Sequence, residues 1–134
     1  MGLLYTVSFL FLKLSSLTLV FLNNLFLELI VISILSRLSI LYIIFFNDFR
    51  STFVNSLKSS ICFKYTIIAS IIYCLFAILL TQISFFLLAM LTILTSYLFI
   101  DYLKRNLHFL NGDTLGMNLE LNELVMLIFF HLAI

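Results

Sequence analysis

Long apolar runs separated by short polar breaks dominate the chain, and their lengths predict membrane-spanning helices. A helix needs about 20 apolar residues to cross a hydrocarbon core of roughly 30 Å. Between Lys64 and Asp101 lie 36 residues without a charge, about 54 Å of helix and too long for one span. We expect this run to fold back at residues 81–84. The pattern therefore predicts five spans, at residues 3–22, 25–46, 65–80, 85–100 and 117–134.

The segment between the second and third spans is amphipathic. Charged residues occur throughout 47–64, and its apolar residues Phe49, Phe53, Val54 and Leu57 recur at helical spacing. This pattern predicts a short helix that lies along the membrane interface. Segments 47–64 and 101–116 hold five of the seven basic residues, and two intervening spans place both segments on one side. The positive-inside tendency makes that side cytoplasmic, as in a multi-pass protein of the cytoplasmic membrane.

The composition supports an all-α integral membrane protein with one domain over residues 1–134. The sequence is 64% hydrophobic and 10% charged, with a mean hydropathy of +1.27, which is unlike a soluble fold. A net charge of +1 with scattered basic residues predicts no nucleic-acid partner. Cys62 and Cys74 lack the spacing and neighbours of metal ligands.

The stretch 111–123 holds three of the six acidic residues and two of the three glycines. Asp113, Glu120 and Glu123 are seven and three residues apart, so they share roughly one face of a helix. One interpretation is an N-capped helix, with Asp113 or Thr114 as the cap and acidic residues that complement the helix dipole. This explains Asp113 but hardly explains Glu123, which lies nearly three turns further on.

The other interpretation of the acidic stretch is a functional site. Carboxylates near the bilayer centre cost about 2.5 kcal/mol or more each and are by default functional candidates. Hard oxygen ligands beside a membrane suit Mg²⁺ and a pyrophosphate substrate, and Asn118 and Asn122 add neutral oxygens. Gly112 and Gly116 permit a positive φ or a close approach of the backbone to a ligand. The spacing favours this functional interpretation.

Two cations lie inside predicted spans. Lys13 is at the middle of the first span, where it either packs against a neighbouring helix or faces an anionic ligand. Arg37 follows Glu28 by nine residues, so the two lie on opposite helix faces and each needs a partner elsewhere. Arg37 either pairs with an acidic residue or binds a phosphate through two hydrogen bonds. The spacing leaves these alternatives open.

These residues resemble a known family. Residues 111–116, with Asn118, Glu120 and Glu123 in the apolar helix that follows, resemble the C-terminal signature of the adenosylcobinamide-GDP ribazoletransferase (cobalamin synthase) family. Two weaker similarities are the segments 35–38 and 10–14, which carry Arg37 and Lys13. The resemblance covers about the C-terminal half of that family. It therefore implies a fragment or one half of a split enzyme, with a separate N-terminal half chain as a partner.

The resemblance implies transfer of α-ribazole, or its phosphate, onto adenosylcobinamide-GDP with release of GMP, using Mg²⁺. The implied roles are Mg²⁺ binding by Asp113 and Glu120, support or proton acceptance by Glu123, and phosphate binding by Arg37 and Lys13. The implied substrate contacts are completed by Gly112, Gly116 and Asn118. Two alternatives remain: a non-enzymatic hydrophobic subunit of a membrane complex, and half of a transporter with ionisable residues as a relay.

Overall fold

The fold is all-α, as the sequence predicts. A computed structural model of the chain describes the backbone of residues 2–81 and 83–133, and the side chains of residues 4, 6–79 and 86–130. Within those residues there are helices and no strands. The six helices are α1 (Gly2–Leu22), α2 (Phe26–Phe46), α3 (Thr52–Ser60), α4 (Phe63–Thr81), α5 (Ile83–Leu107) and α6 (Gly112–Ala133).

The helix limits agree with the predicted spans where polar breaks are sharp. The limits of α1 and α2 lie within one residue of the prediction, and α4 ends inside the predicted turn at 81–84. However, α5 continues to Leu107 instead of ending at Ile100. In this extension the Asp101 carboxylate pairs with Arg105 Nη2 at 2.8 Å with i,i+4 spacing, which supports a helix. The segment predicted as a polar connection is therefore largely helical.

The structure supports a membrane protein and offers two or three candidate spans in the described residues. Helix α2 and the part of α5 from Phe86 to Leu107 are long and apolar enough to cross a membrane. Helices α3 and α4 meet at a bend of 78° and can count together as one further span. The apolar part of α1, Thr6–Leu22, is shorter, and α6 carries three acidic residues. The total of five spans stays a prediction.

Two loops meet at one end of the helix bundle. The backbone N–H of Arg50, after α2, donates to the carbonyl of Leu110, before α6, at 3.1 Å. Arg50 also lies over the ring of Phe109, 5.6 Å from its centroid. The predicted placement of the two basic segments on one side is thus confirmed for these loops, and we call this end of the bundle the basic end.

The apolar core consists of two clusters along the bundle. Helix α6 passes through both clusters and packs against α1, α2 and α5. The cluster near the basic end comprises Ile43, Ile44, Phe49, Val54, Ile100, Leu103, Leu110 and Leu115. The distal cluster comprises Val20, Val31, Ile32, Leu35, Ala77, Leu88, Met126, Leu127 and Phe130. Buried polar side chains of α6 lie between the two clusters, at mid-length of the helix.

The start of α6 differs from its prediction. Neither Asp113 nor Thr114 is the N-cap, because the Oδ1 atom of Asn111 accepts the backbone N–H of Thr114 at 3.0 Å. In return, Thr114 Oγ1 accepts the backbone N–H of Asn111 at 3.1 Å. Such reciprocal bonds resemble a capping box. No glycine in the described residues has a positive φ; His108 does, at 58°. Of the two uses considered for Gly112 and Gly116, a positive φ therefore does not occur, and a close approach of the backbone to a ligand stays a prediction.

Candidate functional site

A lysine ammonium group joins two carboxylates at mid-length of the bundle. Lys13 lies halfway along α1, and its side chain is only 18% exposed. Its Nζ atom donates to Glu120 Oε2 at 2.5 Å and to Glu123 Oε2 at 2.7 Å. Glu120 and Glu123 are i,i+3 neighbours on α6, and their mutual repulsion is offset by the cation between them. Of the two roles considered for Lys13, the structure shows contact with a neighbouring helix.

Glu123 connects three helices. Its side chain is 12% exposed, and its Oε1 atom accepts hydrogen bonds from Ser36 Oγ at 3.1 Å and Arg37 Nη1 at 3.4 Å. Its Oε2 atom is held by Lys13, so both carboxylate oxygens are occupied. Sequence reasoning missed Ser36, although a polar residue beside Arg37 inside an apolar span was a usable signal.

The same cluster is accessible on one side. The side chain of Arg37 is 63% exposed and that of Glu120 is 49% exposed. Arg37 also donates to the carbonyl of Ser33 at 2.7 Å. We call Lys13, Ser36, Arg37, Glu120 and Glu123 the Lys13 cluster. Its two cations balance its two carboxylates, and its exposed groups offer both a donor and an acceptor to a ligand.

Asp113 is not part of the Lys13 cluster. It is exposed and lies seven residues before Glu120, about 10 Å along the helix axis. In the described residues, no group of three or more His, Cys, Asp or Glu side chains is placed to hold a metal ion. The structure therefore does not gather the three predicted carboxylates. Because Asp113 and Glu120 are two turns apart, they lie on the same face of α6 but at different positions along the helix axis.

The opposite face of α6 carries a buried hydrogen-bond network around Asn122. The Nδ2 atom of Asn122 donates to Ser96 Oγ at 2.7 Å and to Ser39 Oγ at 3.2 Å. Its Oδ1 atom accepts a hydrogen bond from Thr95 Oγ1. Asn122 is fully buried, so its amide joins α2, α5 and α6 and is not directed toward the carboxylates. Hydroxyl residues inside apolar spans were the sequence signal for this network.

Asn118 lies one turn before Asn122 on the same face of α6. It is fully buried, yet among the residues that the structure describes neither its Nδ2 nor its Oδ1 atom has a hydrogen-bond partner. Burying an amide without a partner costs roughly 2–7 kcal/mol, depending on the reference state. Buried polar groups without a protein partner commonly bind water or a ligand. Asn118 is about 200° around the helix from Glu120, so the structure separates it from the Lys13 cluster.

Comparison with known proteins identifies the family. A sequence profile described as cobalamin-5-phosphate synthase matches residues 1–131. The chain belongs to the cobalamin-5-phosphate synthase family. No curated protein and no solved structure shows significant similarity to the chain.

Family membership confirms the resemblance to cobalamin synthase. The cobalamin-5-phosphate synthases form an enzyme family of cobalamin synthesis, and the matched residues include the whole Lys13 cluster and Asn118. The family suggests substrates of the cobinamide type, and the apolar helices suggest a lipid environment. The Lys13 cluster, in which the structure joins two cations and two carboxylates, is the candidate active site.

Proposed function

We propose that the chain acts in the transfer of α-ribazole, or its phosphate, onto adenosylcobinamide-GDP with release of GMP. The observation that supports this proposal is the half-open Lys13 cluster, which offers a guanidinium and a carboxylate at one accessible surface. Family membership supplies the coarser assignment to cobalamin synthesis. The specific reaction, and the location in the cytoplasmic membrane, are part of the proposal.

The reaction is a displacement at phosphorus. A ribose hydroxyl of α-ribazole attacks the phosphorus atom that links the pyrophosphate to cobinamide. A new P–O bond forms, the bond to the GMP oxygen breaks, and the hydroxyl proton passes to a base. Such transfer depends on positioning and on neutralising charge at the phosphate oxygens. In the proposal, the exposed guanidinium of Arg37 binds these oxygens, since arginine forms paired hydrogen bonds with phosphate.

The two glutamates have different proposed roles. Glu123 is a positioning residue, because both its oxygens are occupied by Ser36, Arg37 and Lys13. Glu120 is the proposed proton acceptor, since it is half-exposed and its Oε1 atom accepts no hydrogen bond from the part of the chain that the structure describes. Lys13 holds both carboxylates in place.

Glu120 is the member of the Lys13 cluster that could hold a Mg²⁺ ion, as the alternative to its role as proton acceptor, because both oxygens of Glu123 are occupied. Mg²⁺ is commonly held by one or two carboxylates together with substrate phosphates. A single ion shared by Asp113 and Glu120, as the resemblance implies, does not fit, since the two lie two turns apart on α6. When bound, the ion would neutralise charge on the pyrophosphate. Asp113 lies nearer the basic end, beside the proposed substrate contact at Gly116, where there is space for a ligand: a Cβ atom on Gly116 would meet nothing within 4 Å.

A partner chain over the Lys13 cluster is part of the same proposal. Charged side chains in a membrane normally face protein or a water-filled cavity, yet Arg37 and Glu120 are exposed on the bundle surface. A separate N-terminal half chain would cover them and complete the site. A non-enzymatic subunit of a membrane complex is the alternative that these exposed charges also fit. Recovery of a partner on gentle purification, without transferase activity, would favour that alternative.

The test is an assay of GMP release from adenosylcobinamide-GDP. We expect activity when this chain is co-expressed with the N-terminal half chain, and a loss of about 100-fold in kcat/KM for Arg37→Gln. Arg105→Gln is the matched control, because Arg105 is also exposed but pairs with Asp101 outside the cluster. Full activity of Arg37→Gln, or an equal loss in both variants, would contradict the proposed phosphate contact.

A further inference from the structure

A cavity lies apart from the Lys13 cluster. A groove of about 820 Å³ runs between α2, α4 and α5, and none of its lining residues belongs to the cluster. It extends from Leu35 and Ala89, at mid-length of the bundle, to Asn47 and Lys104 at the basic end. The proposed transfer reaction does not use this groove.

The length of the groove matches one leaflet of a bilayer. Leu35 and Asn47 are twelve positions apart, which corresponds to about 18 Å of helix. The hydrocarbon core of a bilayer is about 30 Å thick, so one leaflet contributes about 15 Å. The groove therefore begins at the end where basic residues gather and reaches to mid-membrane depth.

Four polar side chains of the groove walls, Ser39, Tyr42, Ser70 and Ser96, are hydrogen-bonded within the chain. The hydroxyl of Tyr42 donates to Ser70 Oγ at 2.9 Å, and Ser70 donates to the carbonyl of Thr66 at 2.7 Å. Ser39 and Ser96 accept the amide of Asn122. The walls thus offer apolar contact and little free hydrogen-bonding capacity, which suits a hydrocarbon chain better than a polar substrate.

The mouth of the groove carries an available cation. Asp101 is paired with Arg105 at 2.8 Å. Lys104 is exposed and forms no ion pair within the part of the chain that the structure describes. An ammonium group at the polar end of an apolar groove is complementary to an amphiphile with an anionic head and a hydrocarbon tail.

We propose that this groove binds an anionic phospholipid. One acyl chain lies between α2, α4 and α5, and the phosphate of the head group pairs with Lys104. This inference is independent of the proposed transferase reaction, because it rests on different residues and a different face of the bundle.

The two native cysteines provide the test. Cys74 lines the groove and is half-buried, whereas Cys62 is exposed and lies outside it. Delipidated protein in detergent is treated with an apolar maleimide, and labelling of each cysteine is followed by peptide mass spectrometry. We expect phosphatidylglycerol to slow labelling of Cys74 at least fivefold and to leave Cys62 unchanged. Phosphatidylcholine should protect Cys74 less, and free glycerol phosphate should not protect it.

Charge variants at the basic end complete the test. Lys104→Gln should abolish the preference for phosphatidylglycerol over phosphatidylcholine. Lys64→Gln, which removes an exposed charge near the same end but outside the groove, should retain it. Equal protection by the two lipids in the unmodified protein, or protection by glycerol phosphate alone, would overturn the proposal. So would equal protection of both cysteines, or a Cys74 that does not react in delipidated protein.

Discussion

Two faces of the same two turns of α6 differ in how their polar side chains are paired and exposed. On one face, Glu120 and Glu123 meet Lys13 and Arg37, and part of that cluster stays exposed. On the other face, Asn122 is fully buried, and its amide is bonded to hydroxyl groups of α2 and α5. The first face is charged and open, and the second is neutral and closed.

The difference separates a candidate active site from a structural polar layer. The closed face uses its hydrogen-bonding capacity to join helices, so it has none left for a ligand. The open face is neutral in total but keeps a guanidinium and a carboxylate accessible, which a phosphate ligand requires. Asn118 is the exception on the closed face, because its buried amide has no hydrogen-bond partner in the part of the chain that the structure describes.

Removing Glu123 should have the largest effect on this comparison. We expect Glu123→Ala to lower the free energy of unfolding by about 3–5 kcal/mol, because it leaves the largely buried ammonium of Lys13 with one carboxylate and also removes the hydrogen bonds from Ser36 and Arg37. The measurement is denaturant unfolding in detergent micelles. Glu120→Ala is the control: Glu120 is half-exposed, so its loss should change stability by less than about 1 kcal/mol. Equal losses in the free energy of unfolding would show that the two carboxylates contribute equally to stability, which would contradict this prediction.

Replacing Asn122 should have a smaller effect, confined to stability. We expect Asn122→Leu to destabilise the protein by about 2 kcal/mol, since three hydrogen bonds are lost and the buried hydroxyl of Ser96 loses its partner, whereas Ser39 and Thr95 keep bonds to backbone carbonyls. Thermal unfolding measures the change. Adding Ser96→Ala should recover part of the loss, because it removes that hydroxyl. No destabilisation by Asn122→Leu would mean that the network does not hold the helices together.

The same substitution one turn earlier should have the smallest effect and the opposite sign. Asn118→Leu is expected to raise the free energy of unfolding by about 1 kcal/mol, because it removes a buried amide that makes no hydrogen bond in the structure. The unfolding measurement used for Asn122→Leu applies, with transferase activity measured in parallel. Gained stability with lost activity would identify Asn118 as a ligand contact. A loss as large as that of Asn122→Leu would reveal a structural partner of the amide, such as a buried water.

Helix limits could be predicted only where a polar break interrupts an apolar run. The Asn23–Asn24 break gave the end of α1 and the start of α2 nearly to the residue. The extension of α5 to Leu107 was missed, because charged residues at a helix end look like a loop in a hydropathy pattern. The start of α6 at Gly112 lies close to the helix start that the sequence predicts near Asp113. The cap at Asn111 could not be told from the sequence, because Asn111, Asp113 and Thr114 are all residue types that favour the N-cap position.

The sequence alone determined the all-α architecture, the family and the residues that need chemical explanation. Apolar length, and the cost of charges within it, marked Lys13, Arg37, Glu120 and Glu123 without knowledge of their contacts. Only the tertiary structure decided their partners: Lys13 pairs with carboxylates 107 and 110 residues away. Spacing along one helix sets which residues share a face, but contacts between helices depend on their rotation and height in the bundle. The same rotation placed Asn122 among the hydroxyls of α2 and α5, and left the amide of Asn118 without a partner.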